Sequence, residues 1–346
     1  MRRLLVFELH HLGDAVLAVP FLKGAARQWE VYVYCTPSVA SLLSMIAPFV
    51  KTIEARRSWL GRVWQTITEL RKMRAVAAVC VWADARVGWL AVWSGATVRV
   101  GLPMNERNYY AVQCVSQRRR NLKIGRMMEK GAAYLGMPLW TRPVERMQTT
   151  QSHLCDWRQV AEALGVEADV SLPWFSPPSG EEPAEATALR ARFPSRKIWA
   201  LHPGARLAAK RWEMVHFEEI LRTRLADAPV LILCPPGEPF PSPQTDTQKL
   251  VAAKTFKSLI GAIAAADILL CLDSLAGHLG AALGKKVYAI FGSGNPDGFA
   301  PFGNAENVIA LSNTPCKPCS DSCRIPEIIC LKDLTPKDVI ERLPES

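Results

Sequence analysis

The sequence predicts an α/β protein made of two doubly wound domains in tandem. Its 346 residues exceed what one hydrophobic core usually organises. Short apolar runs of strand length alternate with helical patterns, which is the rhythm of parallel βαβ units. A proline- and acid-rich stretch, Leu172 to Glu185, interrupts this rhythm before it restarts. We therefore expect an N-terminal domain over residues 1–172 and a C-terminal domain over residues 173–346, facing a central cleft.

The apolar runs give the expected strands. In the first half these are Leu4–Phe7, Val31–Cys35, Ala75–Val81 and Thr97–Val100. In the second half they are Ile198–Leu201, Val230–Cys234, Ile268–Leu272, Val287–Phe291 and Val308–Leu311. Thr335 and Pro336 supply an N-cap residue and a first-turn proline for a closing helix. Ligands bind at the carboxyl ends of parallel strands, so functional residues are expected in the loops that follow them.

The composition is that of an ordinary folded protein, with 49% hydrophobic and 21% charged residues. The formal net charge of +10 lies entirely in residues 1–172, which hold 23 Lys and Arg against 13 Asp and Glu. This excess fits an anionic membrane surface, a phosphorylated glycolipid or nucleic acid, or simply a solvated basic face. Nucleic acid is disfavoured because no recognised binding motif is present.

The chain is expected to be cytoplasmic. Glu8 and Asp14 interrupt the N-terminal apolar run too early for a signal peptide. The most apolar later stretch, Val87 to Val98, is far shorter than the roughly 20 residues that span a bilayer. Six cysteines are scattered singly among apolar residues, which suits reduced thiols.

Gly13 and Asp14 follow the first predicted strand and open a helical pattern. Gly13 permits a tight turn that brings Asp14 to the helix start. There Asp14 could act as a helix cap, favourable by about 1 kcal/mol. The functional alternative is a general base, because the helix N-terminus favours an ionised carboxylate.

A second segment combines a strand end, a glycine and basic residues before a helix. It runs from His202 through Gly204 and Arg206 to Lys210. This combination is typical of a diphosphate site, with Lys210 offsetting charge on a leaving nucleotide, although the Walker A pattern is absent. The alternative is a solvated basic pair, Lys210 and Arg211.

The third segment is the most specific. Asp273 and Ser274 end a predicted strand and start a helix of small residues. His278 lies one turn after Ser274, on the same face. Gly292, after the next strand, allows close approach of the backbone to a ligand. The free amides of the helix start and the Ser274 hydroxyl should therefore face an anionic ligand.

Four cysteines near the C-terminus, Cys316, Cys319, Cys323 and Cys330, are close enough in sequence to converge on zinc or iron. Their spacing is not that of a zinc ribbon. Partial oxidation and plain packing are the alternatives to a structural metal.

The segments named so far carry a family resemblance that covers nearly the whole chain. They read LGDAVLAVP, HPGARLAAKRW, LIGAIAAADILLCLDSLAGHLGAALGKKVYAIFG and C-x2-C-x3-C-x6-C followed by LTPKDVIERL. In this order they resemble the ADP-heptose:lipopolysaccharide heptosyltransferases of glycosyltransferase family 9. The resemblance implies a GT-B fold and an inverting transfer that requires no cofactor. It also implies ADP-heptose as donor, an anionic glycolipid acceptor, and peripheral association with the inner face of the inner membrane.

The resemblance also implies residue roles. It places the acceptor site in the N-terminal domain, with Asp14 as the base, and the nucleotide-sugar site in the C-terminal domain. Lys210 matches the lysine of the diphosphate site. Predicted substrate-binding residues are Gly13, Gly204, Arg206, Glu238, Asp273, Ser274, His278 and Gly292.

The sequence departs from the family pattern at two places. Leu275 and Ala276 replace the glycine and proline that usually follow Asp-Ser, and Leu207 to Ala209 replace small polar residues before Lys210. Leucine beside the phosphates could narrow the site or change the donor. A GT-B enzyme acting on another nucleotide sugar, an epimerase included, and a catalytically silent binding relative therefore stay open as alternatives.

Overall fold

The computed structural model describes residues 1–8, 11–55, 63–105, 115–146, 152–311, 314, 323 and 328–345, with only the backbone for 63 and 115–122. The chain forms two compact units, Met1–Trp174 and Phe175–Ser346. Within the described residues, no helix is long and apolar enough to cross a membrane.

Each unit contains a parallel sheet with helices between the strands. The strands of the first unit are β1 (Arg2–Glu8), β2 (Trp29–Cys35), β3 (Lys51–Glu54), β4 (Ala77–Cys80), β5 (Val98–Gly101) and β6 (Arg142–Pro143). Its helices are α1 (Leu12–Ala26), α2 (Pro37–Ile46), α3 (Val63–Lys72), α4 (Ala85–Trp93), α5 (Val115–Tyr134) and α6 (His153–Leu164). All the strand pairs are parallel, in the order β3-β2-β1-β4-β5-β6.

The second unit repeats this plan. Its strands are β7 (Trp199–His202), β8 (Val230–Cys234), β9 (Gln248–Ala252), β10 (Ile268–Leu272), β11 (Lys286–Ile290) and β12 (Val308–Ile309). Its helices are α7 (Ala184–Arg192), α8 (Met214–Arg222), α9 (Phe256–Ala265), α10 (Leu275–Ala282), α11 (Pro296–Phe299), α12 (Ile329–Lys332) and α13 (Pro336–Ile340), with 3₁₀ turns at Ala208–Lys210 and Ala305–Asn307. The parallel order is β12-β11-β10-β7-β8-β9.

The strand orders place a topological switch point in each sheet. In the first unit, the chain winds outward from β1 to β3, returns beside β1 with β4, and winds the other way. In the second unit, β7 and β10 have the same relation. A crevice opens at the carboxyl ends of the two strands where the winding direction reverses, and ligands of doubly wound folds bind there.

The burial of the central strands explains why the apolar runs identified them. All five residues of β10 and all four of β7 are buried, as expected for parallel strands covered by helices on both faces. Helix α10 packs very closely on this sheet, because a Cβ added to Gly280 would lie 2.8 Å from a methyl carbon of Leu269.

The predicted α/β class with two doubly wound units is confirmed, and each of the nine predicted strands is present. The sequence did not reveal β3, β6 and β9, which are edge strands. An edge strand is covered on fewer sides, so its sequence can be polar, as in the KTIE of β3, and the apolar signal disappears. The closing helix is confirmed as α13, where Thr335 and Asp338 form a capping box.

Candidate functional site

The site in the second unit lies at the switch point between β7 and β10. His202, the last residue of β7, is in register with Cys271 of β10. Two residues further along, the N–H of Asp273 donates to the carbonyl of Ile290 at the end of β11 at 2.9 Å. Asp273 is therefore held at the carboxyl edge of the sheet, where the topology places a ligand crevice.

A largely buried ion pair forms the centre of this site. The Lys210 Nζ lies 2.8 Å from Asp273 Oδ2, and the two side chains are only 14% and 6% exposed. Lys210 closes the 3₁₀ turn, where its N–H donates to the carbonyl of Leu207 at 2.9 Å. The alternative reading of Lys210 as a solvated surface residue is therefore wrong.

The loop after β11 fixes both partners of the ion pair. The Ser293 hydroxyl is fully buried and donates to the carbonyl of Ala209 at 3.1 Å, which anchors the turn that carries Lys210. A Cβ placed on Gly294 would lie 2.0 Å from Asp273 Oδ2, and one on Gly292 would lie 2.7 Å from Leu331. Both positions therefore need glycine because neighbouring groups approach the backbone, and not because of an unusual φ.

Helix α10 begins beside the ion pair. Ser274 occupies its N-cap position, but its side chain makes no capping hydrogen bond. Among the described residues, the buried Oγ of Ser274 has no hydrogen-bond partner. His278, one turn into the helix, is buried. The helix start thus presents free amides and an unused hydroxyl, which are the hydrogen-bond donors that bind anions at helix N-termini.

A second cluster lies beside the end of β7. Burial lowers the pKa of His202 to about 4, so its ring is neutral near pH 7. Glu238 lies against the neighbouring backbone, since a Cβ on Gly204 would be 2.7 Å from Glu238 Oε2. Arg211 approaches the same carboxylate at 3.7 Å and donates to the carbonyl of Ala205 at 2.7 Å. Three loop segments are thereby joined at one edge of the sheet.

The predicted residues of the second unit are thus found in two groups at this edge. Lys210, Asp273 and Ser274 form the first, with Gly292 and His278 on the adjoining loop and helix, and Gly204 and Glu238 belong to the second. Arg206 is exposed on the connecting loop.

In the first unit, Asp14 lies inside helix α1. The helix begins at Leu12, just before Gly13, and its N-cap residue is His11, whose carbonyl accepts the Asp14 N–H at 3.1 Å. Asp14 is only 3% exposed. The interpretation of Asp14 as the capping residue is therefore wrong, because the N-cap position lies three residues earlier, at His11. Its role as a base stays a prediction.

Sequence reasoning missed a buried polar cluster in the same unit. Arg146 donates from Nε to Asp156 Oδ1 and Oδ2 at 3.1 and 3.0 Å, and His153 Nδ1 lies 2.9 Å from Asp156 Oδ2. All three side chains are at most 2% exposed, and the His153 ring packs on Trp82 with centroids 4.7 Å apart. No motif marks these residues; the available signal was a carboxylate three residues after a histidine in an apolar helix pattern.

Two of the four cysteines of the C-terminal cluster lie outside the part of the chain that the structure describes. Cys316 and Cys319 lie outside the described residues, Cys323 is half-buried, and Cys330 is buried in the core of the second unit. No group of three or more His, Cys, Asp or Glu that could hold a metal occurs among the described residues. A metal at this cluster stays a prediction.

The fold defines the class of protein. Two doubly wound units in tandem, each with its switch point at the carboxyl strand ends, constitute the GT-B architecture. Three solved structures share this fold over nearly their whole length. A glycosyl transferase family 9 protein from Veillonella parvula matches with a TM-score of 0.70 and 15% identity, covering 99% of this chain and 96% of that chain.

The other two solved structures are from E. coli. ADP-heptose lps heptosyltransferase II matches with a TM-score of 0.64 and 19% identity, covering 98% of this chain and 97% of that chain. Heptosyltransferase WaaC with ADP matches with a TM-score of 0.60 and 16% identity, covering 98% of each. At such identities the likeness shows the fold alone.

The sequence matches the model of glycosyltransferase family 9 (heptosyltransferase) over residues 114–328, which is more than half of the chain. The chain belongs to this family. A lipooligosaccharide heptosyltransferase 2 from Campylobacter jejuni is 30% identical over 159 residues, or 42% of this chain and 50% of the relative. The chain thus spans about half the length of the curated relatives it matches.

Proposed function

We propose that this chain transfers heptose from ADP-heptose to a hydroxyl of an anionic glycolipid of the lipopolysaccharide class, with inversion at the anomeric carbon. The observation that carries this proposal is the largely buried pair of Lys210 and Asp273 at the switch point of the second sheet, 2.8 Å apart. It lies within the residues matched by the family model, beside a helix start with an unused hydroxyl.

The donor diphosphate has three cationic or donating groups available on this edge. Lys210 supplies a positive charge, the start of α10 supplies backbone amides, and Ser274 supplies its hydroxyl. Positions 292 and 294 of the neighbouring loop are glycines and bring no side chain towards the ligand. When the diphosphate arrives, Lys210 can share its charge between the phosphate and Asp273 without leaving its place beside Asp273.

The proposed reaction is a single displacement. The acceptor oxygen forms a bond to the anomeric carbon while the bond from that carbon to the phosphate oxygen breaks. The electron pair leaves with the diphosphate, where Lys210 offsets the developing charge. The acceptor proton passes to Asp14 of the first unit, a buried carboxylate in the first turn of a helix. Attack and departure on opposite faces invert the configuration.

Lys210 thus provides the charge compensation that a leaving nucleotide requires, and no cofactor is needed for this step. The proposed location is the cytoplasmic face of the membrane that contains the acceptor. The positive excess of residues 1–172 supports an anionic partner for the first unit.

A different nucleotide sugar is the second candidate, and Leu275 is the observation that favours it. This half-buried side chain directly follows Ser274 at the start of α10. It stands where a phosphate would approach, so it could restrict the donors that fit. Thermal-shift measurements with ADP, GDP and UDP separate the two candidates, since a ligand at 100 times its Kd adds about 2.7 kcal/mol to stability.

The direct test supplies ADP-heptose and a heptose-deficient lipopolysaccharide core to the purified chain. We expect the acceptor to gain the mass of one heptose residue for each ADP released, with the inverted anomeric configuration by NMR. ADP release without a heptosylated acceptor, or no reaction with a donor that binds, would contradict the proposal.

A further inference from the structure

Helix α5 has an apolar face that is exposed within its unit. Ile124, Met127 and Tyr134 are 51%, 64% and 91% exposed. Their spacing of three and seven residues places them on one side of the helix. Leu135 and Met137, which follow the helix directly, are also exposed. These five side chains, which we name the α5 outer face, form an exposed apolar concentration of the kind that marks an interaction surface.

The other side of α5 packs on the unit. Gly125 lies against Met104, and Ala132 is fully buried. The exposed side chains of Lys123 and Lys130 flank the α5 outer face. The helix therefore differs from an ordinary amphipathic surface helix, because its outer side carries apolar side chains as well as its core side.

The charge around the α5 outer face is positive. Lys123 and Lys130 supply it, and the sequence of α5 contains one acidic residue, Glu129. The Glu129 carboxylate is turned inward, where it accepts the backbone N–H of Met104 at 2.9 and 3.0 Å. The positive charges on the outer side are therefore not matched by an acidic residue of the same helix.

We propose that the α5 outer face docks this chain on an anionic lipid bilayer. Apolar side chains beside lysine and arginine are the composition of helices that lie in the headgroup region. A second copy of the chain would place the same positive charges against each other, which disfavours self-association through this face. The same unit exposes Trp64 on α3 (81%), a residue type that favours membrane interfaces.

This inference rests on the proposed function, since a glycolipid acceptor lies in a membrane. Its test needs neither donor nor acceptor. The whole chain is sedimented with vesicles of phosphatidylglycerol and phosphatidylcholine, and with vesicles of phosphatidylcholine alone. We expect binding to the anionic vesicles that weakens with added salt.

Two variants separate the apolar and ionic contributions. Lys123→Gln with Lys130→Gln should lower partition into anionic vesicles by about 25-fold, about fivefold for each charge. Ile124→Ser with Met127→Ser should lower it by at least about tenfold, because the apolar side chains no longer enter the headgroup region. The matched control is Val215→Ser with Leu250→Ser, two exposed apolar residues of the second unit, which should bind like the parent.

Three results would overturn the proposal: no preference of the parent for anionic vesicles, variants that bind as the parent does, or a dimer that becomes monomeric on Ile124→Ser with Met127→Ser. Light scattering detects the last. A parent chain that binds vesicles but transfers no sugar would instead refute the proposed function. With a soluble acceptor fragment, the Ile124→Ser, Met127→Ser variant should keep its kcat/KM.

Discussion

Replacing Gly294 by alanine is the sharpest perturbation of the second unit, because it moves one atom of the ion pair. The new Cβ would lie 2.0 Å from Asp273 Oδ2 and 3.1 Å from its Cγ. Since real Cβ contacts essentially never fall below 3.0 Å, the carboxylate must retreat by at least about 1 Å. Oδ2 is the atom that pairs with Lys210 Nζ at 2.8 Å, so this retreat separates the pair or draws Lys210 away.

The expected result is a loss of activity larger than the loss of stability. A misplacement of about 1 Å in a reacting site commonly lowers the rate by about 10²-fold. Forcing one extra methyl into a packed site costs about 1–3 kcal/mol of stability. We expect Gly294→Ala to fold, with kcat/KM for the nucleotide sugar lowered by about 10²-fold.

The assay is the initial rate of nucleotide release with acceptor present, accompanied by thermal unfolding. Gly298→Ala is the matched control in the same loop region, because its Cβ would meet nothing closer than Asn295 Nδ2 at 3.5 Å, an ordinary contact. It should be as active as the parent. A folded Gly294→Ala variant within about threefold of the parent in kcat/KM would refute the reasoning, since the carboxylate would then not need its observed position.

Three further outcomes are expected. Asp14→Asn should lower kcat by about 10²–10⁴-fold and leave the ADP affinity measured by calorimetry unchanged. It should lower the free energy of unfolding by at most about 1 kcal/mol, because the helix start loses a negative charge. A kcat near that of the parent would show that Asp14 is not the base. Asp156→Ala should lower the free energy of unfolding in urea by about 3–5 kcal/mol, because the buried Arg146 guanidinium loses its ion-pair partner. Asp246→Ala, which breaks an exposed ion pair, should lower it by at most about 1 kcal/mol. Equal losses in the two variants would contradict the burial argument. Finally, burial lowers the pKa of His202 from 6.5 to about 4, so the unfolded state binds a proton at this group first as the pH falls. His202 should therefore favour unfolding progressively between about pH 6.5 and pH 4. A His202→Asn variant whose free energy of unfolding depends on pH in that window as the parent's does would show that His202 does not contribute.

The fold could be predicted where burial imposes a pattern on the sequence. Central strands such as β8 and β10 are covered on both faces, so their apolar runs gave the observed boundaries. Three of the four edge strands, β3, β6 and β9, could not be found in this way, because one side of each has no strand partner and polar residues are tolerated there. The linker region also holds buried aromatic residues, Trp174 and Phe175, which its prolines and acidic residues did not indicate.

The site could be predicted in part for the same physical reason. Lys210, Asp273 and Ser274 follow strand ends, and the topology alone brings strand ends together. The pairing of Lys210 with Asp273 depends on the close approach of the loop around Gly294, which no local pattern encodes. The Arg146 and Asp156 pair joins residues ten positions apart, and neither local pattern indicates that the two side chains meet in the core.

The central claim is that Lys210 stabilises a leaving nucleotide diphosphate, and the most direct measurement is the turnover of Lys210→Ala beside that of Lys257→Ala. Lys257 also forms an ion pair, at 2.7 Å to Glu181, but on an exposed part of the same unit. Loss of one charge that acts on the transition state is worth about 10²–10³ in kcat, so Lys210→Ala should fall by that factor while Lys257→Ala turns over like the parent. Equal kcat values for Lys210→Ala and Lys257→Ala, with both variants folded and saturated with donor, would contradict the claim.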